Sequence, residues 1–306
     1  MKNHDIEKIG DITINLSYYC GYDLYNEGDE VEEIILETVK YGNNYIELLA
    51  TDNRWPILYQ LSTRRECIID PMDIKATDNV LEIGAGMGAV TGAIARRCKK
   101  VDCIELSKRR SLANAYRNKD LGNIEIFVGN FQDIIIEKKY DVVTLIGVLE
   151  YAQNYISADN PYEAFLEKVA SCLKSGGKLY IAIENKLGMK YFAGCSEDHL
   201  GIPFVGIEGY TAQDNVKTFS KSQLEALVLK SGFKSTYFYY PYPDYKLPTI
   251  IFSDDYMPNE TFTPVTFNYD LDRLVCFDER KAYNSLIRAD ELKALANSFL
   301  VEAVKK

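Results

Sequence analysis

The sequence predicts an α/β fold, a mostly parallel sheet with helices on both faces, and three observations carry that expectation. From residue 76 onward, short apolar runs alternate regularly with stretches of helical period, the pattern of successive βαβ units. One of these units, residues 79–105, places a glycine-rich turn between strand and helix and an acid at the end of its second strand. At 306 residues and 47% hydrophobic composition, the chain can also bury a sizeable core.

In chain order, residues 1–28 show no period and crowd Tyr18, Tyr19, Tyr22 and Tyr25 around Cys20 and Gly21. A helix is expected over 29–40, with Asp29 as N-cap and Glu32 completing a capping box, Val31, Ile34 and Ile35 on one face, and Gly42 as its stop. Residues 54–69 read as a further helix beginning near Pro56. Residues 1–75 are thus expected to form an α-helical cap across the open end of the sheet, and 76–306 the main domain. Strands follow at 80–83, 101–104, 124–128, 142–146 and 178–183, with helices at 89–98, 108–118 and 162–173. Ser220 and Gln223 form a capping box for a helix over 221–230 that Gly232 ends; strands at 233–240 and 298–304 complete the pattern.

Two stretches break this alternation. Residues 185–217 hold five glycines with Tyr191, Phe192, Phe204 and Tyr210 and no period, which suggests a lid. Residues 241–297 are rich in aromatics and read as an insertion, either packed on the surface or binding an acceptor.

Charge and composition exclude several classes. The formal net charge is −10, and the first 54 residues carry 12 acids against 4 Lys plus Arg. No basic cluster exceeds Lys108-Arg109-Arg110, so nucleic acid is not an expected partner. No run of about 18 apolar residues or signal-peptide pattern occurs, so no membrane is expected and a cytoplasmic location is. Seven cysteines without a C-x-x-C pair disfavour disulfide scaffolding and a zinc ribbon, and with only His4 and His199 no metal site is expected.

The turn narrows the chemistry. Val80, Leu81 and Ile83 form a short buried strand; Gly84, Gly86 and Gly88 let a ligand approach the main chain; Glu105 lies 19 residues beyond Gly86, the interval at which such a unit brings a carboxylate to a ribose. Glu82, just before the turn, would repel a pyrophosphate and attract an ammonium, and the G-x-G-x-G spacing departs from the dinucleotide pattern. NAD is therefore not the expected ligand. Here the stretch resembles motif I of the class I S-adenosylmethionine-dependent methyltransferases, Glu-x-Gly-x-Gly-x-Gly with an acid ending the second strand.

That resemblance implies a Rossmann-like seven-stranded sheet whose last strand is antiparallel, and S-adenosyl-L-methionine as cofactor. It implies that Gly84, Ala85, Gly86 and Gly88 pass under the methionine part of the donor, with Glu82 near its ammonium. Glu105 would accept both ribose hydroxyls, with Leu106 beside the adenine. Asn130, where many relatives have Asp, would meet the adenine amine, and Phe131 its ring. Gly147, Tyr59 and Ser62 are further candidate donor contacts. After the fourth strand, Glu150 and Tyr151 would lie near the transferred methyl, and Glu184, His199 and Arg65 complete the candidate catalytic set.

The run 184–199 and Leu61-Ser62-Thr63-Arg64-Arg65 resemble a bacterial methyltransferase subgroup associated with surface-polysaccharide synthesis and lanthipeptide tailoring. Methyl transfer is an in-line displacement that needs alignment above all. A carboxylate acceptor needs no base, only cations to steer it, and Arg64, Arg65, Lys186 and Lys190 are available. A hydroxyl acceptor needs a base, for which His199 is the candidate. The expected reaction is methyl esterification of the C-terminal carboxylate of a modified, lanthipeptide-type peptide. The alternatives are a hydroxyl on a surface polysaccharide or its precursor, and a noncatalytic donor-binding partner protein.

Overall fold

The computed structural model describes residues 5–42, 45–211, 213–259 and 273–306. The chain divides into two compact units, Met1–Leu145 with Ser171–Lys178, and Ile146–Ala170 with Leu179–Lys306.

The first unit opens with β1 (Ile6–Ile9) and β2 (Ile12–Asn15), an antiparallel hairpin in the stretch expected to be irregular. Ile12 and Ile14 are fully buried and alternate with half-exposed neighbours, a strand period too brief to stand out over four residues. Next come α1 (Asp29–Tyr41), α2 (Tyr45–Thr51), α3 (Trp55–Leu61), β3 (Asn79–Ile83), α4 (Thr91–Ala95), β4 (Lys100–Glu105), α5 (Lys108–Arg117), β5 (Ile124–Val128) and β6 (Tyr140–Ile146). In this unit the strand order is β1-β2-β5-β4-β3-β6, and every pairing beyond the hairpin is parallel.

Three local expectations are corrected. The N-cap of α1 is Gly28, not Asp29, and Glu32 Oε1 accepts the Glu27 N–H at 2.9 Å in place of a capping box; Gly42 ends the helix in the left-handed conformation as expected. Residues 54–69 are not one helix. Ser62 turns extended and its hydroxyl accepts the Arg64 N–H, so α3 stops at Leu61 and a separate 3-10 helix covers Thr63–Ile69. The helix expected over 89–98 shrinks to α4, because Val90 still belongs to the turn. The α1 and α3 side chains Val31, Ile35, Leu36, Val39, Ile57 and Leu61 pack with Met87 of the glycine turn and Ala113 of α5, so burial of apolar surface anchors the N-terminal helices to the turn.

The second unit holds α6 (Ala152–Tyr155), most of α7 (Pro161–Cys172), the end of β7 (Leu173–Glu184), α8 (Met189–Phe192), α9 (Val205–Glu208), α10 (Lys221–Lys230), β8 (Phe233–Tyr242), β9 (Ile250–Ser253), α11 (Glu279–Ala289) and β10 (Ser298–Lys305). Its order is β7-β10-β8-β9; β10 runs antiparallel to β8, as expected for the final strand, and β9 is also antiparallel to β8. The Ser220–Gln223 capping box on α10 is present. Among the described residues ten strands replace the expected seven: the seven are there, and the β1–β2 hairpin and β9 are added. Strand β9 and α11 belong to the expected insertion 241–297, of which 260–272 lie outside the described residues. The expected lid also carries structure. Helices α8 and α9 are four residues each, too short to show a period, and Met189, Lys190, Tyr191, Ala193, Cys195, Ser196 and Glu197 are buried. No helix among the described residues is long and apolar enough to cross a membrane.

Candidate active site

In the first unit, β3 runs into the turn 84–88, where the N–H groups of Gly84 and Ala85 both bond Ile104 O at the end of β4, at 2.8 and 3.2 Å. Gly86 and Gly88 have φ of 53° and 77°, and at Gly88 a Cβ would stand 2.5 Å from Asn114 Oδ1, so both backbone conformation and space require glycine. The Gly86 N–H donates to Glu105 Oε2 at 2.8 Å and the Ser107 N–H to Oε1 at 3.1 Å. The buried carboxylate of Glu105 thus braces the turn, and its remaining lone pairs can accept from a vicinal diol.

Glu82 faces the protein. Its Oε2 accepts from the Thr91 hydroxyl at 2.7 Å and the Cys103 thiol at 3.4 Å, and Thr91 in turn accepts from Asn114 Nδ2 at 3.0 Å. Burial outweighs these hydrogen bonds and pushes its pKa up to about 7. A cationic group brought alongside would draw it back to the ionised form. Arg65 already acts on it in that sense. The Arg65 guanidinium lies 4.0 Å from the Tyr59 ring centroid and donates to the Tyr59 hydroxyl at 3.0 Å, while Ser62 serves as a helix cap.

Leu106 is half-buried at the head of the next loop. Asn130 Oδ1 accepts the Gln132 N–H at 3.1 Å, an Asx turn that leaves the amide half-buried, and Phe131 is buried.

Several contributors here were not foreseen. Asp23, from the stretch read as irregular, accepts the Ser107 hydroxyl and the Lys108 N–H, each at 2.7 Å, and so caps α5 next to Glu105. The buried Arg110 lies against Gly86, with its guanidinium 4.8 Å from the Tyr25 ring centroid and 3.6 and 3.7 Å from Glu27 and Glu32. Burial opposes its charge, but Glu27 and Glu105 outweigh burial and hold it ionised. The signal was present in the crowded tyrosines, but no periodic pattern located them.

In the second unit, Gly147 (φ 70°) bonds Ala182 O at 3.0 Å and leads into a single turn carrying Glu150 and Tyr151. The sequence candidates Tyr151, His199, Glu184 and Glu150 come together. The Tyr151 hydroxyl is 2.9 Å from His199 Nδ1, their rings meet edge to face at 5.3 Å, and His199 Nε2 is 3.3 Å from Glu184 Oε2. The other Glu184 oxygen receives Lys246 Nζ. Burial opposes a charge on His199, yet the Glu184 carboxylate prevails and pushes its pKa up to about 9. Glu150 is buried with Oε2 unpartnered, and burial followed by repulsion from Glu184 pushes it up to about 8. Glu184 is held well below the usual carboxylate range despite burial, by Lys246 first and then His199.

Ligand atoms of Glu150, Glu184 and His199 lie within 4.8 Å of one another, a separation that could hold a metal ion. Of these groups, His199 is already engaged by Tyr151 and Glu184, and the other Glu184 oxygen by Lys246. Lys190, read from sequence as a steering cation, is instead buried and bonds Asp198 and Asp244, each at 2.7 Å. Lys246, Asp198 and Asp244 were not foreseen, since nothing in their local sequence marks them.

Residues 81–179 match the family described as a methyltransferase domain. The chain is 32% identical over 137 residues to the Bacillus subtilis protein YrhH, named as a methyltransferase, covering 43% of this chain and 72% of that one. It is 29% identical over 113 residues to protein 235L of Invertebrate iridescent virus 6, also named as a methyltransferase, covering 37% of this chain and 40% of the viral protein. Among solved structures, a SAM-dependent methyltransferase of Thermotoga maritima, described as a possible histamine N-methyltransferase, aligns with a TM-score of 0.48 at 14% identity, covering 90% of this chain and 100% of that one.

Proposed function

The chain belongs to the S-adenosylmethionine-dependent methyltransferases, and from that premise we propose that it methylates a hydroxyl oxygen of its acceptor, of the kind a surface polysaccharide or its precursor presents. The observation that carries this reading is the hydrogen-bonded series Tyr151–His199–Glu184. With a neutral imidazole, Nε2–H donates to Glu184 and Nδ1 accepts from the Tyr151 hydroxyl. As the acceptor oxygen attacks the donor's methyl carbon and the C–S bond breaks, the acceptor's proton passes to Tyr151 while the tyrosine proton passes to His199. Glu184 stabilises the resulting imidazolium.

Esterification of a carboxylate, the first expectation from sequence, has less support. Of its four steering cations, Lys190 is neutralised by Asp198 and Asp244, and Arg65 is buried against Tyr59. Around His199, the ammonium groups of Lys190 and Lys246 are committed to Asp198, Asp244 and Glu184, so they are already engaged rather than held out to an anionic acceptor.

On the donor side, the 84–88 turn would take the methionine portion, Glu82 its ammonium and Glu105 the ribose hydroxyls. The reading is tested with methyl-labelled donor and a panel of saccharide acceptors over a range of pH. A base that becomes competent on losing its proton predicts a rate rising through about pH 9, the pKa of His199. A pH-independent rate would discard the relay.

A further inference from the structure

We propose, on the basis of the Tyr151–His199–Glu184 assignment, that the insertion after β8 takes part in the reaction: its Lys246 is a positioning residue that fixes Glu184 and, through it, the imidazole of His199. Glu184 ends β7 completely buried, and its two oxygens are divided, one to Lys246 Nζ and one to His199 Nε2 at 3.3 Å. A buried carboxylate bonded to the imidazole alone could rotate, exchanging which oxygen faces the ring; a cation committed to the other oxygen removes that freedom.

Lys246 is itself held in place. Its N–H donates to Asp244 Oδ1 at 3.0 Å, its ammonium lies 3.5 Å from Asp198 Oδ1, and Lys190 bridges Asp198 and Asp244. The flanking chain is tied to the last strand, with the Tyr245 N–H on Ser298 Oγ at 2.9 Å and Asn297 Nδ2 on Pro243 O at 2.9 Å. The insertion therefore delivers one cation to one carboxylate oxygen from a braced turn.

The groups facing His199 are Tyr151 and Glu150 from the turn after β6, Glu184 from β7, Glu197 on its own segment and, through Glu184, Lys246. Lys246 also lowers Glu150 and Asp198, so its charge is felt across the cluster. Without it, Glu184 would face the imidazole uncompensated and favour the imidazolium more strongly.

The test needs no acceptor. The chain contains two histidines, His4 and His199, so the His199 ring carbon resonance is identified by its loss in His199→Gln. Its titration is followed by NMR in the wild type, in Lys246→Met, which keeps the apolar stem, and in Lys246→Arg. The expected result is an upward shift of roughly one to two pH units in Lys246→Met and a midpoint near wild type in Lys246→Arg. If Lys246→Met does not fold, Lys246→Gln carries the same expectation. Coincident midpoints in the wild type and a folded neutral variant would overturn the inference. A shifted midpoint beside a pH-independent methyl-transfer rate would instead discard the hydroxyl reading and leave the role of Lys246 standing.

Discussion

Replacing Glu105 with Ala should weaken binding of S-adenosylmethionine about ten- to one-hundred-fold. The carboxylate is buried at the end of β4, with one oxygen on the Gly86 N–H at 2.8 Å and the other on the Ser107 N–H at 3.1 Å, so a diol meets an acceptor whose orientation is already fixed. Hydrogen bonds to a charged group contribute about 1.5–3 kcal/mol, and each 1.4 kcal/mol is about tenfold in affinity. The same substitution leaves two backbone amides unpaired, which costs stability on the order of 1–3 kcal/mol for each buried group. Affinity and stability are therefore measured separately, by isothermal titration with the donor and by urea unfolding without it. Glu105→Gln, which keeps one acceptor oxygen, should fall between wild type and Ala in affinity. An Ala variant that unfolds more easily yet binds the donor as tightly as wild type would refute the reasoning and reduce Glu105 to a brace for the turn.

Other outcomes follow from the same geometry. Glu82 is raised from 4.5 to about 7 by burial, so its contribution to stability is fully present below about pH 4.5 and is lost as pH rises through about 7. Urea midpoints of the donor-free protein should fall less steeply over that window in Glu82→Gln than in wild type, and parallel curves would contradict this. Gly88→Ala should destabilise by at least about 2 kcal/mol, combining the cost of a positive φ with displacement of Asn114, whose amide bonds Thr91; unchanged unfolding would contradict it. His199→Gln should lower methyl transfer about a hundredfold or more while leaving donor affinity unchanged; equal losses in both would place His199 in folding.

The glycine turn and its two carboxylates were legible as one structural unit because their signals are local. The glycines, the preceding Glu82 and the Glu105 carboxylate lie within 24 residues of chain, and a βαβ unit fixes their relation in space. The β1–β2 hairpin was not legible, since four-residue strands carry only two alternations and the sheet partner of β2, β5, lies more than 100 residues away. The cluster around His199 was half legible. Tyr151, Glu184 and His199 were marked by their positions after strands, but Lys246, Asp198 and Asp244 act through tertiary contacts that no spacing announces. Lys190 shows the reverse: a lysine in a loop reads as a free cation until burial brings it two aspartates.

The central claim is methyl transfer from S-adenosylmethionine to a hydroxyl oxygen, and the product tests it most directly. Mass spectrometry of the acceptor before and after reaction, followed by mild alkali, separates the possibilities. The account predicts a gain of one methyl in place of hydrogen that survives alkali, as an ether does. A methylated product that returns to its starting mass under alkali would be an ester, and would contradict the hydroxyl assignment and with it the role given to Tyr151, His199 and Glu184.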